Sequence, residues 1–167
     1  MTNSFLYRMP AGIPGDVTRK EVAKIEPQIM GTYNPLPSIT SPLVTSYGVP
    51  VTMLNDKLAG ITAINNVVYG FLVRPYPTQA ELVNQVIGES TPSINQIADV
   101  LRSGYMTVKC LAGTAVKGGQ VYVRWGEDSG TQGSVEAVTS GDQVAVTGAF
   151  FMGVTDNDGN VEICYNI

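Results

Sequence analysis

The prolines of this chain are unevenly distributed, and their positions restrict where a regular sheet can form. Seven of the ten lie within the first 50 residues, and none follows Pro92. Proline has no amide hydrogen to donate to a strand ladder, and it pushes the preceding residue toward extended geometry. We therefore expect residues 1–48 to form an extended, largely irregular arm and connector, and residues 49–167 to form a single β domain.

The second half of the chain alternates apolar and polar residues between glycine-containing turns. This alternation is typical of half-buried antiparallel strands joined by hairpins, and several such strands predict a mainly β fold, an antiparallel β-barrel or sandwich. The side chains expected to share the alternating positions are Val121, Val123, Trp125, Val135, Ala137, Thr139, Val144, Val146, Gly148, Phe150, Met152, Val161, Ile163 and Tyr165.

The middle of the chain gives weaker patterns. Runs of β-branched and aromatic residues predict strands over 49–54 and 67–73. Thr78 followed by periodic apolar residues predicts a short helix over 78–87. Apolar spacing within 92–101 also fits a helix, but that segment continues without a break into a strand over 104–111, so we expect the strand to begin near Asp99.

Composition excludes several classes of function. The chain has no histidine, the commonest general base and zinc ligand, which argues against most hydrolases and metalloenzymes. Ten basic and 14 acidic residues give a net charge of −4, a poor match to nucleic acid or an anionic membrane surface. No apolar run approaches the ~18 residues of a membrane span. Charged residues make up only 14% of the chain, so we expect partners to cover much of its surface.

Motif-like patterns in the sequence do not support a catalytic or metal site. In Asp156-Asn-Asp-Gly159, an EF-hand alignment would put Val154 and Tyr165 at the two anchoring positions, so a type I′ hairpin turn is expected instead. Residues 113–119 lack the Gly-Lys-Ser/Thr ending of a phosphate loop. Cys110 and Cys164, without a CxxC pattern, are expected to be small buried residues. We expect no enzyme activity, no cofactor and no small-molecule substrate.

The arm carries the candidate binding residues. Seven charged residues lie between Arg8 and Glu26, four of them basic, and residues 31–55 then carry no charge. An extended segment of this kind can dock on an acidic neighbour or cross to another subunit; the alternatives are a solvated start of the domain and a loop tucked onto its own core. The candidate arm contacts are Arg8, Pro10, Gly12, Pro14, Gly15, Asp16, Arg19 and Lys20, and the candidate apolar interface residues are Tyr33, Leu36 and Tyr47.

Several segments, in order, resemble the structural cement (capsid decoration) proteins of tailed bacteriophages. They are residues 12–19 (GIPGDVTR) with 25–27 (IEP), 69–78 (YGFLVRPYPT), 102–105 (RSGY), 117–124 (KGGQVYVR) and 159–167 (GNVEICYNI). The resemblance implies a non-enzymatic virion protein, made in the host cytoplasm, that binds the outer capsid surface and bridges major capsid protein subunits. It also implies a homo-oligomer on the shell and a variable insertion at about 77–98.

Such a protein would stabilise the shell against the pressure of packaged DNA, because a ligand that binds only the assembled state favours that state.

Two alternatives from other classes stay open. A carbohydrate-binding or tail-associated adhesion module fits a β-rich chain with eight tyrosines and few charges. A small hydrolase using two carboxylates would need no histidine, although no pair of acids is singled out by the sequence.

Overall fold

The computed structural model describes residues 11–31, 46–75, 92, 95–126, 131–139 and 141–167. These residues form the expected mainly β fold, with nine strands in one sheet. The strands are β1 (Lys24–Ile29), β2 (Pro50–Leu54), β3 (Lys57–Gly60), β4 (Gly70–Leu72), β5 (Ile97–Ala112), β6 (Gln120–Arg124), β7 (Val135–Glu136), β8 (Gln143–Phe151) and β9 (Asn160–Asn166). One turn of 3₁₀ helix, Lys20–Val22, precedes β1. No helix within the described ranges has the length and apolarity needed to cross a membrane.

The 16-residue strand β5 is central to this sheet, because it pairs with β1, β4, β7 and β9. Its second part closes a ring of pairings through β7, β6, β8 and β9, here called the large ring. Its first part pairs with β1 and β4, and a bridge between Met30 and Leu58 links the end of β1 to β3. Strands β1, β3, β2, β4 and the start of β5 therefore form a second circuit, the small ring.

Two hydrophobic clusters correspond to the two rings. The cluster of the small ring contains Met30, Tyr47, Val51, Leu58, Leu72 and Val100. The larger cluster includes Leu101 and Phe71, the chain neighbours of Val100 and Leu72. Because successive residues of a strand point to opposite faces, β4 and β5 bury both faces where the rings meet.

The alternation predicted for the last strand is confirmed, and that of β6 is confirmed as far as Val123. Arg124 is buried as well, and Trp125 lies beyond the strand. Val121, Val123, Val161, Ile163 and Tyr165 are all buried. Burial, the largest influence, raises the pKa of the Tyr165 hydroxyl to about 12. Antiparallel pairing of β9 with both β5 and β8 fixes the C-terminal strand within the fold.

The alternation predicted for β8 is wrong after Gly148. Ala149 and Phe151 are fully buried, whereas Phe150 is 43% exposed. Gly148 has φ +76°, and a Cβ at this position would overlap the carbonyl oxygen of Asn166. The glycine therefore allows a local irregularity that moves the apolar set from one parity to the other, as β-bulges do.

The pattern over 135–139 also differs from the expectation. Strand β7 contains only Val135 and Glu136, and both are buried together with Ser134. The alternation fails there because Glu136 is held inside by an ion pair with Arg124, at 2.7 Å between Nε and Oε1. Ala137 and Thr139 lie beyond the strand.

The strands in the middle of the chain match the expectation only in part. The strand expected over 67–73 is reduced to Gly70–Leu72, while the strand over 49–54 is confirmed as Pro50–Leu54. Strand β5 begins at Ile97, close to the expected start near Asp99, so the helical alternative is wrong for residues 97–101. The helix expected over 78–87 and most of the insertion at 77–98 lie outside the described residues.

A largely irregular first third is wrong for residues 24–29, which form β1. This strand accommodates Pro27 because Pro27 stands opposite Asp99, whose carbonyl oxygen accepts from Val73 on the far side of β5. The Pro27 nitrogen therefore faces away from β5, where a missing amide hydrogen breaks no bond to that strand.

The type I′ conformation occurs in a different turn from the one expected. Asn55 and Asp56, between β2 and β3, both have positive φ, 51° and 61°, as a two-residue type I′ turn requires. In the turn at 156–159, by contrast, positive φ occurs at Gly159, and the Asp156 carboxylate accepts from the amides of Asp158 and Asn160. That turn is an aspartate-braced turn rather than a type I′ turn.

Candidate docking surface

Residues 11–19, here called the N-terminal segment, lie against the chain's own β5. Gly15 N donates to Thr107 O at 2.8 Å, Thr107 N donates to Asp16 O at 2.9 Å, and Thr18 N donates to Tyr105 O at 3.0 Å. These bonds occupy residues 105–107 of β5, between the pairings with β4 at 100–101 and with β7 at 110–112. The segment thus pairs with the part of β5 that lies between its contacts with β4 and β7.

Glycine and arginine fix the path of this segment. Gly15 has φ +94°, and a Cβ there would lie 2.6 Å from the Tyr47 Cβ. Arg74 N donates to Gly15 O at 2.9 Å, and Arg74 Nε donates to Pro14 O at 3.0 Å. Burial, the dominant effect, lowers the pKa of Arg74. Gly12, with φ +101°, packs against the Thr107 side chain, which donates to Ala11 O.

Arg19 binds a carboxylate of its own chain. Its Nε and Nη2 donate to the two oxygens of Glu162 at 3.2 and 2.9 Å, and its guanidinium lies 3.9 Å from the ring centroid of Tyr105. The hydrogen bond with Glu162 is the main reason that the pKa of Arg19 is raised. The exposed Lys20 begins the 3₁₀ turn that follows.

The segment is also fixed at its start, and the chain crosses β5 shortly after the segment ends. Ala11 N donates to Asp156 Oδ2 at 3.0 Å. At the other end, a Cβ on Gly104 would lie 3.0 Å from the Cα of Ala23, so Ala23 lies directly on the face of β5. This crossing brings the chain to β1.

Of the remaining candidate contact residues, Tyr47 is buried within the chain and the others are not described by the structure. Tyr47 is 8% exposed and belongs to the small-ring cluster, with the Arg74 guanidinium 4.8 Å from its ring centroid. It therefore packs inside the chain, whereas the sequence suggested an interface residue. Arg8, Pro10, Tyr33 and Leu36 lie outside the described residues.

Strand β1 presents an exposed apolar surface that the arm prediction did not include. Ile25 and Ile29 are 42% and 45% exposed, and Ile97, which pairs with Ile29, is 76% exposed. Residues 25 and 29 share one face of the strand. We call Ile25, Ile29 and Ile97 the isoleucine face.

The opposite face of β1 is occupied by polar contacts. Tyr69 OH donates to Glu26 Oε2 at 2.6 Å and accepts from Gln28 Nε2 at 3.2 Å. The Arg102 guanidinium lies 3.7 Å from the Tyr69 ring centroid and 3.5 Å from the Glu26 carboxylate. The hydrogen bond to Glu26, followed by burial, raises the pKa of Tyr69. These contacts orient β1 and direct the isoleucine face outward.

Glu136, the buried acid of the large ring, takes part in hydrogen bonds that stabilise the fold. Glu136 accepts hydrogen bonds from Arg124 Nε and Nη2, Ser134 Oγ and Gln143 Nε2, at 2.6 to 3.0 Å. Desolvation raises the pKa of Glu136, but the hydrogen bonds together outweigh it, and the pKa lies below its usual value. A carboxylate held in this state is a poor proton donor. Within the described ranges, no group of three His, Cys, Asp or Glu residues is placed to hold a metal ion.

Comparison with known proteins agrees with this architecture. A chain in the capsid of Myoviridae phage XM1 has the same fold, with a TM-score of 0.68 and 15% sequence identity over 99% of this chain and 97% of that chain. No curated protein sequence matches significantly. The sequence model of the XM1 gp53 minor capsid protein family matches residues 1–165. The chain therefore belongs to the XM1 gp53 minor capsid protein family.

Proposed function

We propose that this protein is a structural cement protein that binds the outer surface of the mature capsid and bridges neighbouring major capsid protein subunits. The observation that carries the proposal is the isoleucine face, three exposed isoleucines on the paired strands β1 and β5. The polar side of β1 is already bonded within the chain. Large apolar side chains grouped on an ordered surface are characteristic of protein interaction sites. Family membership supports a shell subunit as the partner.

The contacts of the N-terminal segment within its own chain change the role expected for it as a binding arm. Residues 11–19 are bonded to β5 and Glu162 within the chain, so in this proposal they support the docking surface. The tyrosines at 47, 69 and 105 each have an arginine near the ring, which makes these rings less suitable as sugar-stacking platforms. This observation favours the cement function over the adhesion alternative.

Stabilisation would follow from selective binding. If the capsid subunits reach the bridged arrangement only after expansion, then binding lowers the free energy of that state alone. Copies bound side by side, as an oligomer or an array, would add their effects as one avid layer.

The test is binding of the purified protein to expanded and unexpanded capsids, measured by co-sedimentation. We expect a preference for expanded capsids, and an Ile25→Ser/Ile97→Ser variant should bind at least tenfold more weakly. Val138→Ser is the matched control, because Val138 is 41% exposed and lies next to β7 on the large ring. Equal binding to both capsid forms, with unchanged heat release of DNA from particles lacking the protein, would contradict the proposal.

Point substitutions are preferable to deletion of the arm. Met30 is 2% exposed in the small-ring cluster, and β1 pairs with β5 along its full length. Removing residues 1–30 would therefore unfold part of the sheet, and a loss of binding would not be specific to the arm.

A further inference from the structure

The connection between β3 and β4 contains a short turn, residues 62–67, that presents two apolar side chains to solvent. Ile64 is 60% exposed and Val67 is 78% exposed. Neither residue belongs to either hydrophobic cluster. We infer that the 62–67 turn is a second docking element, which inserts Ile64 and Val67 into an uncharged apolar recess of a neighbouring capsid subunit.

The turn is braced by hydrogen bonds of Asn66. Asn66 Oδ1 accepts from Thr62 N at 2.8 Å, from Ala63 N at 2.9 Å and from Thr62 Oγ1 at 3.4 Å, while Asn66 N donates to Ala63 O at 3.0 Å. A preformed turn loses less conformational entropy on binding than a mobile one.

Both ends of the turn are attached to the core. Ile61 is 1% exposed in the large cluster, and Val68 packs against that cluster. Tyr165 OH donates to Val68 O at 3.3 Å, and Tyr69 N donates to Val51 O at 2.7 Å. A force on the turn is therefore resisted by both rings, as a bridging contact requires.

The absence of charge in this part of the sequence indicates what kind of surface the turn would bind. Residues 58–73 contain no charged side chain, so this element offers no ion pair and binds best where the partner is also uncharged. Buried apolar anchors of this size supply much of the affinity at protein interfaces when water is excluded around them.

The element is separate from the isoleucine face. Tyr69, two residues after the turn, bonds to Glu26 and Gln28. These two residues lie on the opposite face of β1 from Ile25 and Ile29. Two separate apolar surfaces on one chain allow simultaneous contact with two subunits. This inference rests on the proposed function and adds the second contact that bridging needs.

The test compares capsid binding of four proteins: wild type, Ile64→Ser/Val67→Ser, Asn65→Asp and the Val138→Ser control. Asn65 is exposed beside Ile64, so Asn65→Asp adds a charge at the tip without removing the Asn66 brace. We expect the double variant and Asn65→Asp to bind expanded capsids at least tenfold more weakly, with thermal unfolding unchanged.

The outcomes separate the two proposals. Failure of the wild type to bind expanded capsids would overturn the proposed function. Wild-type binding that the two turn variants retain in full would overturn this inference alone. Loss of self-association in ultracentrifugation, with capsid binding of single copies retained, would also overturn it, because the occupant would then be a second copy of this chain.

Discussion

Arg19 and Glu162, 143 residues apart in the sequence, form a two-point ion pair that attaches the start of the chain to its last strand. Thr18 Oγ1 donates to the same carboxylate at 2.6 Å. The guanidinium also stacks on Tyr105 of β5. One side chain thus holds the N-terminal segment against two neighbouring strands of the large ring.

Breaking this pair should loosen the segment while the rings stay folded. In Arg19→Ala we expect faster hydrogen exchange at the amides of Gly15, Thr18 and Thr107, which bond across the segment. Arg19→Lys should be intermediate, because lysine keeps the charge but loses the planar two-point contact. Exchange at Val161 and Ile163 is the internal reference. Unchanged exchange at all three segment amides would contradict a fixing role for Arg19.

Gly148 should tolerate substitution far less than a glycine of similar backbone conformation. Gly148 and Gly118 have φ +76° and +79°, but a Cβ on Gly148 would overlap Asn166 O, whereas one on Gly118 would have no described atom within 4 Å. Gly118→Ala should cost only the left-handed strain of about 1–2 kcal/mol. Gly148→Ala should cost at least about 2 kcal/mol more, from overpacking. Urea midpoints measure both, and equal losses would contradict the clash.

The Arg124–Glu136 pair should be costly to break from one side. The two side chains are 4% and 2% exposed. Glu136→Gln leaves the buried guanidinium with the more distant and partly exposed Asp142 carboxylate, 3.8 Å away. We expect a loss of about 3 kcal/mol in the free energy of unfolding. The double variant Arg124→Met/Glu136→Leu should recover much of that loss. If the double variant is as unstable as Glu136→Gln, then removing both charges does not restore stability. In that case the pair stabilises the fold by more than the neutralisation of each charge by the other.

The same pair predicts a pH dependence. Because the pKa of Glu136 is lower in the folded state, its contribution is complete above the unfolded pKa of about 4.3 and is lost as the pH falls through the folded pKa. Unfolding free energies measured between pH 7 and 3 should therefore decline below about pH 4 in the wild type. Glu136→Gln should decline less steeply, and parallel curves would contradict this assignment.

The two cysteines should differ in reactivity. Cys164 is partly exposed, whereas Cys110 is buried, and burial raises the pKa of the Cys110 thiol. Since the thiolate is the reactive form, we expect iodoacetamide at pH 8 to modify Cys164 first, with Cys110 reacting only on unfolding. Mass spectrometry of the native protein over time measures the order. Equal rates would show that Cys110 is accessible.

Local patterns predicted the strands well wherever alternation continued without a defect. Val161, Ile163 and Tyr165 were placed correctly because β9 is regular and short. The prediction failed for Phe150, since a single glycine irregularity reverses the exposed parity and nothing in the alternation itself reveals it. Strand β3 was missed, although Asn55-Asp56 is a recognisable two-residue turn signal.

Long-range contacts account for most of what the sequence did not reveal about the candidate surfaces. The isoleucine face joins Ile25 and Ile29 to Ile97, about 70 residues away, and only pairing of β1 with β5 brings them together. The spacing Ile25-Glu-Pro-Gln-Ile29 does alternate and could have indicated a strand, but the proline argued against it. The partner of Arg19 was likewise hidden, because Glu162 is adjacent only after the large ring closes.

The 16-residue strand β5 has a mechanical consequence. Because both rings share it without an intervening loop, a pull on the small ring passes into the large ring along one strand, through the irregular pairing at Leu101 and Ser103. In the proposed function, a copy placed across a subunit boundary would therefore carry force through a paired strand of its sheet rather than through a loop between two domains.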